Sequence, residues 1–587
     1  MLKGEKLDME EQLHKENADN LDSKTIEANR SVNSRKRLYL MHEALIEASK
    51  RTVGKPSEEI FLEGRIKDKV RIENGINDEI ILDLLTTCQG FRQLVHSIGV
   101  YVKTHSADTE VVFVLQNWGK RDRFQSGTLI KLPCPKDGSE ATILLEDYTW
   151  SDDDDVLGRI GFEFNKVGEL AHATVILYLN NGFDVPEAII EPPVEFGTEN
   201  YKKMIEKSLF HLGNTRRLKA AIEKAERGED VTIAYIGGSI TQGAGAKPIN
   251  KACYAYQSFQ TFKELFGKHG GDNIHYVKAG VGGTPSQLGI IRYDRDVLKD
   301  GKVEPDIVIV EFAVNDEGDE TKGVCYESLC LKILSAANKP ALVLLFSVFQ
   351  SDWNLQDRLS PIGLHYDLPM VSVKDAVVEQ FKKSKDEGNI ISKRQYFHDI
   401  YHPSNNGHKI MADCLSHLFL EVKNAKLSEI DISLDKRPVK GNDFVDIKLL
   451  DRKDNSNIAT IIEGSFTEID KELQEVEMDL NKEATPQFPY NWMRNGKTGN
   501  ESFIMKISSR NLMLVFKDSG SPDFGKADIY VDGKYFKTAD PHINNWNHCN
   551  PIILYQEERV REHTIEIKMA EGDEEKCFTI LGFGYTL

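Results

Sequence analysis

Cysteine is scarce and dispersed in this chain: eight among 587 residues, at positions 88, 134, 253, 325, 330, 414, 549 and 577, with no CxxC pair. That spacing speaks against a zinc site and against a dense disulfide framework, and leaves reduced, structural thiols as the expectation. Long apolar runs are also missing. The longest, PALVLLFSVF from Pro340, is about half the ~20 residues that a membrane helix needs, and reads as a buried strand. There is no basic excess: 74 Lys and Arg face 93 Asp and Glu, for a formal charge of -19. This argues against nucleic acid or an anionic membrane as partner and favours a neutral one. The opening residues MLKGEKLDMEEQLHKENADN place charges where a secretion signal needs an apolar stretch of about 7–15 residues, so the expectation is a cytoplasmic protein. HExxH, the Walker pattern, GxGxxG after a strand and the GxSxG elbow are all lacking, so no metal or other cofactor is expected. A homo-oligomer is compatible with the composition, which does not decide it.

What is present is a folded composition, 40% hydrophobic and 28% charged, on a chain too long for one core. Residues 1–69 are charged and read as partly helical or flexible, with a short helix around Leu38–Ile46 as one option. Residues 70–198 carry short β-type runs, Ile98–Lys103, Glu110–Leu115, Ala141–Leu145 and Ala173–Leu179, separated by turn signals such as KDGS and NNGF. Their spacing predicts an antiparallel β-sandwich that no helix of useful length interrupts. From Thr215 a helix with Asn214 as N-cap opens a third region, 199–427. There VTIAYIG, IHYVKAG, DIVIVEFA and ALVLLFSVF alternate with helical stretches, the pattern of a doubly wound parallel sheet buried on both faces. Residues 428–587 return to β-type runs, with a hairpin signal at Asp532-Gly533, and predict a second β-sandwich.

Four segments of the third region carry candidate chemistry. AYIGGSITQGAGA runs a strand into Gly237-Gly238-Ser239, placing a serine hydroxyl at a strand's carboxyl end, where such sheets bind ligands; a packing or phosphate-binding turn is the alternative. HYVKAGVGGTPSQLG repeats the arrangement and offers the Gly283 N–H, unless it is a plain tight turn. DIVIVEFAVNDEGD ends a strand on Asn315-Asp316, where the Asn315 amide is a candidate oxyanion donor and an ordinary turn the alternative. FHDIYHPSNNGHKIMADCL supplies Asp399 and His402, whose three-residue separation lets the carboxylate curl back onto the imidazole. His408 reads as a helix-start residue, and Ser286 as a helix residue after Pro285.

Taken in order, the four segments resemble the SGNH (GDSL-like) hydrolase family, whose blocks are built around Gly-Asp-Ser, Gly, Gly-x-Asn-Asp and Asp-x-x-His. The likeness spans about residues 210–425. Gly238 stands where many relatives have Asp, and Ala313 where the Gly of the third block would be; neither removes a proton-transfer group. The resemblance implies a flavodoxin-like three-layer α/β/α core flanked by jelly-roll-like β-sandwich domains. It implies Ser239 as nucleophile, His402 as general base and acid, Asp399 as the group orienting it, and the Ser239 N–H, Gly283 N–H and Asn315 side chain as the oxyanion hole. The wording IGGSITQGAGA, AGVGGTPSQLG and EFAVND, with β-domains on either side, resembles bacterial carbohydrate acetyl esterases. It implies a serine esterase that removes O-acetyl groups from plant oligo- or polysaccharides of mannan or xylan type. Arg292, Trp353, His365 and Tyr366 are the substrate-contact candidates near predicted strand ends. Tyr490, Trp492 and Trp546 are sugar-stacking or core aromatics of the C-terminal region, whose strand pattern is similar to that of carbohydrate-binding modules. A lipase or thioesterase on the same triad, and a non-catalytic carbohydrate-binding protein, are the rival readings.

Overall fold

The computed structural model describes residues 35–587 except 51–53, 63–64, 455–456 and 482. The chain divides into two units, Met1–Ser49 with Lys55–Glu191, and Pro192–Leu587 with the stretch Lys50–Gly54. Most of the charged N-terminal segment therefore lies outside the described residues.

In the first unit, two four-stranded antiparallel sheets face one core. One runs Arg37–Glu47, Leu170–Leu179, Val95–Thr104, Asp137–Leu144; the other Ser57–Leu62, Asp154–Phe164, Val111–Gly119, Leu129–Pro133. Residues 38–46 are thus an edge strand rather than a helix. Their helix-forming residues are overruled by the ladder with Leu170–Leu179, which takes up the backbone hydrogen bonds and buries Leu38, Leu40 and Met41. Three short helices, Ile66–Asn74, Glu79–Leu84 and Cys88–Leu94, also interrupt the sandwich where none was expected. Two of them start on side-chain caps, Asp78 and Thr87.

The second unit is built on a six-stranded sheet in the order Ile274–Gly280, Val231–Gly237, Ile307–Glu311, Ala341–Phe346, Met370–Ser372, Leu209–His211. The first five strands are parallel and the last antiparallel. In chain order the parallel strands run 2-1-3-4-5, so the winding reverses at Val231–Gly237 and a crevice opens beyond its carboxyl end. Ile307–Glu311 and Ala341–Phe346 are buried at every position, as strands covered on both faces must be. Helices Arg216–Glu226, Tyr254–Phe266 and Asn405–Asn424 pack on one side. Ser286–Asp296 and Val324–Leu334 pack on the other. The first of these helices has Thr215, not the expected Asn214, as its N-cap, with no side-chain cap bond; Asn214 Oδ1 accepts from the Arg216 N–H at 3.1 Å from one residue further out.

Residues 448–586 form an eight-stranded antiparallel sheet in which Phe503–Asp518 and His548–Met569 are the long members. Both are bulged near Ser509–Met513, and their two halves take different neighbours. The hairpin at Asp532-Gly533 joins Ala527–Val531 to Lys534–Ala539, with both turn residues at positive φ (52° and 73°). Along Leu512–Phe516 the strand's period of two sorts its side chains. Leu512, Leu514 and Phe516 enter this region's own core, while Met513 and Val515 join Ile290, Ile291 and Leu329 of the parallel-sheet region. Gly584 allows the approach: a Cβ there would lie 2.8 Å from Ile291 Cγ1. Among the described residues no helix is long and apolar enough to cross a membrane.

Candidate active site

Strand Val231–Gly237 delivers Ser239 to the crevice through two glycines that leave no room for a side chain. A Cβ on Gly237 would collide with Thr241 and the Glu311 carbonyl, and one on Gly238 with the Asn315 amide. Asn315 thus stands where a Cβ at 238 would project. Ser239 starts a single helical turn, and its carbonyl accepts from the N–H groups of Gly243 and Ala244, each at 3.0 Å.

The imidazole arrives on the loop between Lys393–Tyr396 and Asn405–Asn424, the long helix being capped by Ser404. Asp399 Oδ1 accepts from the backbone N–H groups of Tyr401 and His402, both at 2.8 Å. Its Oδ2 lies 2.8 Å from His402 Nδ1, and His402 Nε2 lies 2.9 Å from Ser239 Oγ. Burial acts to raise the Asp399 carboxyl but is outweighed by the His402 imidazole and its hydrogen bond, by His398 and by the Tyr401 N–H. The group is held well below the usual carboxylate range. A carboxylate that stays ionised there keeps the proton on His402 Nδ1 and leaves Nε2 free to accept from a serine hydroxyl.

His408 braces this arrangement. Its Nδ1 accepts from the Tyr254 N–H at 3.2 Å and its Nε2 donates to the Ala244 carbonyl at 3.0 Å. Burial pushes it down to about 4, so it serves as a neutral strut between the serine turn and the long helix. Below Ser239, Glu311 accepts from the hydroxyls of Ser347 and Thr241 (3.2 Å for the latter), and burial raises its carboxyl to about 7. Asp316 accepts from the Ser286 N–H at 2.7 Å and Ser286 Oγ at 2.8 Å, tying the Asn315 segment to the helix that follows the glycine turn. Ser286 is thereby a helix-start residue, not a second nucleophile.

The glycine turn sits against the serine: a Cβ on Gly282 would be 3.7 Å from Ser239 Cβ. Gly283 has φ +72°, and a Cβ on it would stand 2.9 Å from Trp546 and 3.0 Å from His548 Nε2. Glycine is required here by conformation and by space. Asn315 Oδ1 is buried with no hydrogen-bond partner among the described residues. Among the described residues no group of three His, Cys, Asp or Glu side chains is placed to hold a metal ion.

Two of the four proposed substrate contacts, Arg292 and Tyr366, must be withdrawn. Arg292 is fully buried and donates to the Gly237 carbonyl at 2.9 Å, the Ala279 carbonyl at 2.8 Å and Asp296 at 3.1 Å, so it props two strand ends from behind. Tyr366 is buried and donates to Glu327 at 2.9 Å. His365, whose ring packs on Tyr366, ends helix Gln356–His365. Trp353 is linked to the relay only through other rings. It is half exposed and stacks on Phe349 at 5.9 Å; Phe349 meets Tyr401 edge-on at 5.0 Å, and Tyr401 adjoins His402. Trp492 is a core residue of the β-region, fully buried on Phe503. Gln242, Gln474 and His548, which touch the glycine turn, have no local signal; only the tryptophan of HINNWNHCN marked that neighbourhood.

Residues 235–410 match the GDSL-like Lipase/Acylhydrolase family. Among solved structures the chain is similar to a two-domain esterase (CEX) active on acetylated mannans, at 25% identity and TM-score 0.55, over 65% of this chain and 99% of that one. It is likewise similar to the structure of such an enzyme co-crystallized with mannopentaose, at 26% identity and TM-score 0.55, over 65% of this chain and 98% of the other. No curated protein matches the sequence.

Proposed function

Residues 235–410 form a GDSL-like lipase/acylhydrolase domain and the chain is a carboxylic ester hydrolase; from that premise we propose that it removes O-acetyl groups from plant-derived oligo- or polysaccharides of mannan or xylan type, with Ser239 as nucleophile. The observation that carries the reading is the unbroken relay Asp399 Oδ2, His402 Nδ1, His402 Nε2, Ser239 Oγ, with gaps of 2.8 and 2.9 Å.

In this reading the Ser239 oxygen attacks the acetyl carbonyl while His402 Nε2 takes its proton. The imidazolium is stabilised by the ionised Asp399. The tetrahedral oxyanion is met by the N–H groups of Ser239 and Gly283 and by the Asn315 side-chain amide N–H. His402 returns the proton to the sugar hydroxyl as it leaves, and Ser239 keeps the acetyl group. Water, deprotonated by His402, then attacks the acyl-enzyme, and acetate departs as Ser239 recovers its proton.

The substrate class is supported by the likeness to the acetylated-mannan esterase, which extends over 65% of this chain. Trp546, partly exposed against the Gly283 turn, offers a flat apolar face on which a sugar ring stacks. The test is acetate release from acetylated mannan and xylan oligosaccharides, beside p-nitrophenyl acetate and octanoate, by the native chain and by Ser239→Ala. Acetate from the native chain alone, with loss of about 10⁴-fold or more in the variant, supports the proposal. Cleavage of octanoate with untouched sugars would overturn the substrate class.

A further inference from the structure

The Gly282-Gly283 turn is gripped at nearly every polar backbone group. The Gly282 N–H donates to Gln242 Oε1 at 3.0 Å. The Gly282 carbonyl accepts from Gln474 Nε2 at 2.8 Å, and the Gly283 carbonyl from His548 Nε2 at 2.9 Å. The Gly283 N–H has no acceptor among the described residues. Two of the three anchors, Gln474 and His548, come from the C-terminal β-region, 192 and 265 residues away along the chain.

Both anchors are themselves immobilised. Gln474 is buried, and its Oε1 accepts from the Cys549 N–H at 3.1 Å while its backbone carbonyl accepts from the Gln487 N–H at 2.8 Å. The Asn544 amide donates to His548 Nδ1 at 3.2 Å and to Asp518 at 2.9 Å. With Nδ1 accepting, Nε2 carries the hydrogen and donates to the Gly283 carbonyl. Burial favours this neutral form, lowering His548 to about 4.

In a planar trans peptide the carbonyl of one residue and the N–H of the next point in opposite directions. Gln474, by holding the Gly282 carbonyl, therefore sets the direction of the Gly283 N–H. Donation into that carbonyl also polarises the amide and strengthens its N–H as a donor. His548 fixes the next peptide plane, closing off the rotation that a glycine at φ +72° would otherwise allow. We propose that Gln474 and His548 are positioning residues for the reaction: the β-region aims the oxyanion-binding N–H of Gly283, and the catalytic site is incomplete without it. This inference rests on the reading of Ser239 as nucleophile and Gly283 as oxyanion donor.

The experiment compares Gln474→Ala, Gln474→Glu and His548→Gln with the native chain on p-nitrophenyl acetate. Active sites are counted by fluorophosphonate titration and folding is followed by thermal melting. Misaiming one donor is expected to lower kcat per titrated site by about 10–100-fold while KM stays within about two-fold. The Gln474→Glu variant adds a pH signature. Its new carboxyl can still donate when protonated but not when ionised, so its deficit relative to the native chain should deepen as pH rises from 5 to 8. A purely structural role would lower Tm and the titrated fraction while leaving kcat per site and the pH profile unchanged, and that result overturns the proposal. Should Gln474→Ala fail to fold, the near-isosteric Gln474→Glu and His548→Gln decide by the same criteria. If Ser239→Ala is as active as the native chain, the underlying reading fails; if it is inactive while all three variants keep native kcat and pH dependence, this inference alone fails.

Discussion

The two β-rich regions of the molecule close their cores in opposite ways. The N-terminal sandwich draws its core from residues 38–185 and from nowhere else among the described residues. The C-terminal sheet is two-faced: even-numbered residues of Leu512–Phe516 complete its own core, and Met513 and Val515 complete that of the parallel-sheet region. The difference teaches what makes a β-region part of an enzyme. A sheet that shares a buried face can hold side chains such as Gln474 and His548 rigidly enough to grip a neighbour's backbone. A sheet with a closed core has no such purchase inside its own unit.

That contrast can be broken by cutting the chain. Ending it after residue 427 uncovers the apolar face of Ile290, Ile291 and Leu329, which should remove more stability than the ~5–15 kcal/mol a domain has. The expected outcome is no cooperative melt and no esterase activity from 192–427, whereas 192–587 folds. An active shorter fragment erases the distinction. Next in size, Asn315→Ala should lower kcat by about 10²–10³-fold with an unchanged melt, because the Asn315 amide belongs to the parallel-sheet region's chemistry rather than its packing. Turnover near the native value would remove Asn315 from the oxyanion donors.

Smaller effects sharpen the comparison. Phe162→Ala, in the closed N-terminal core, should cost about 3–5 kcal/mol and shift one calorimetric transition. Met513→Ala should cost about 2–5 kcal/mol and shift another, which covers both regions of the second unit. A single transition moved equally by both changes would show the units to be coupled in unfolding. The smallest effect is a pH dependence. Glu311, fully buried, has its carboxyl raised from 4.5 to about 7, so the folded state retains a proton that the unfolded chain releases. Its contribution to stability is present below about pH 4.5 and is lost as pH rises to about 7, by at most about 3 kcal/mol. Glu311→Gln should therefore gain Tm relative to the native chain at pH 8 by a few degrees more than at pH 5. Equal shifts at both pH values would mean that Glu311 does not titrate in this window.

Much of this architecture was legible before any coordinates. Unbroken apolar runs such as DIVIVEFA announced strands covered on both faces, and the glycines before Ser239 announced a close approach. The Asp-x-x-His spacing places a carboxylate and an imidazole within one loop, where the structure has them 2.8 Å apart. Expectations failed where a residue's neighbourhood is remote in sequence. Arg292 looked like a substrate contact because a charge near a strand end usually faces solvent, yet two strand-end carbonyls and Asp296 bury it completely. Residues 38–46 have the composition of a helix and became a strand because Leu170–Leu179 was there to pair with.

The sequence by itself determined the parallel sheet and the order of its chemical segments, since each is encoded by periodicity or spacing within about a dozen residues; the pairing of Ser239 with His402, 163 residues apart, was implied only by the resemblance of those segments to a known family. Only the tertiary structure decided which side chains grip the glycine turn, that Arg292 and Tyr366 are buried, and that the C-terminal sheet shares a core. The physical reason is that a local pattern states whether a residue will be buried, but not against what. Hydrophobic burial is indifferent to partner, and the partners are chosen only when the whole chain has packed.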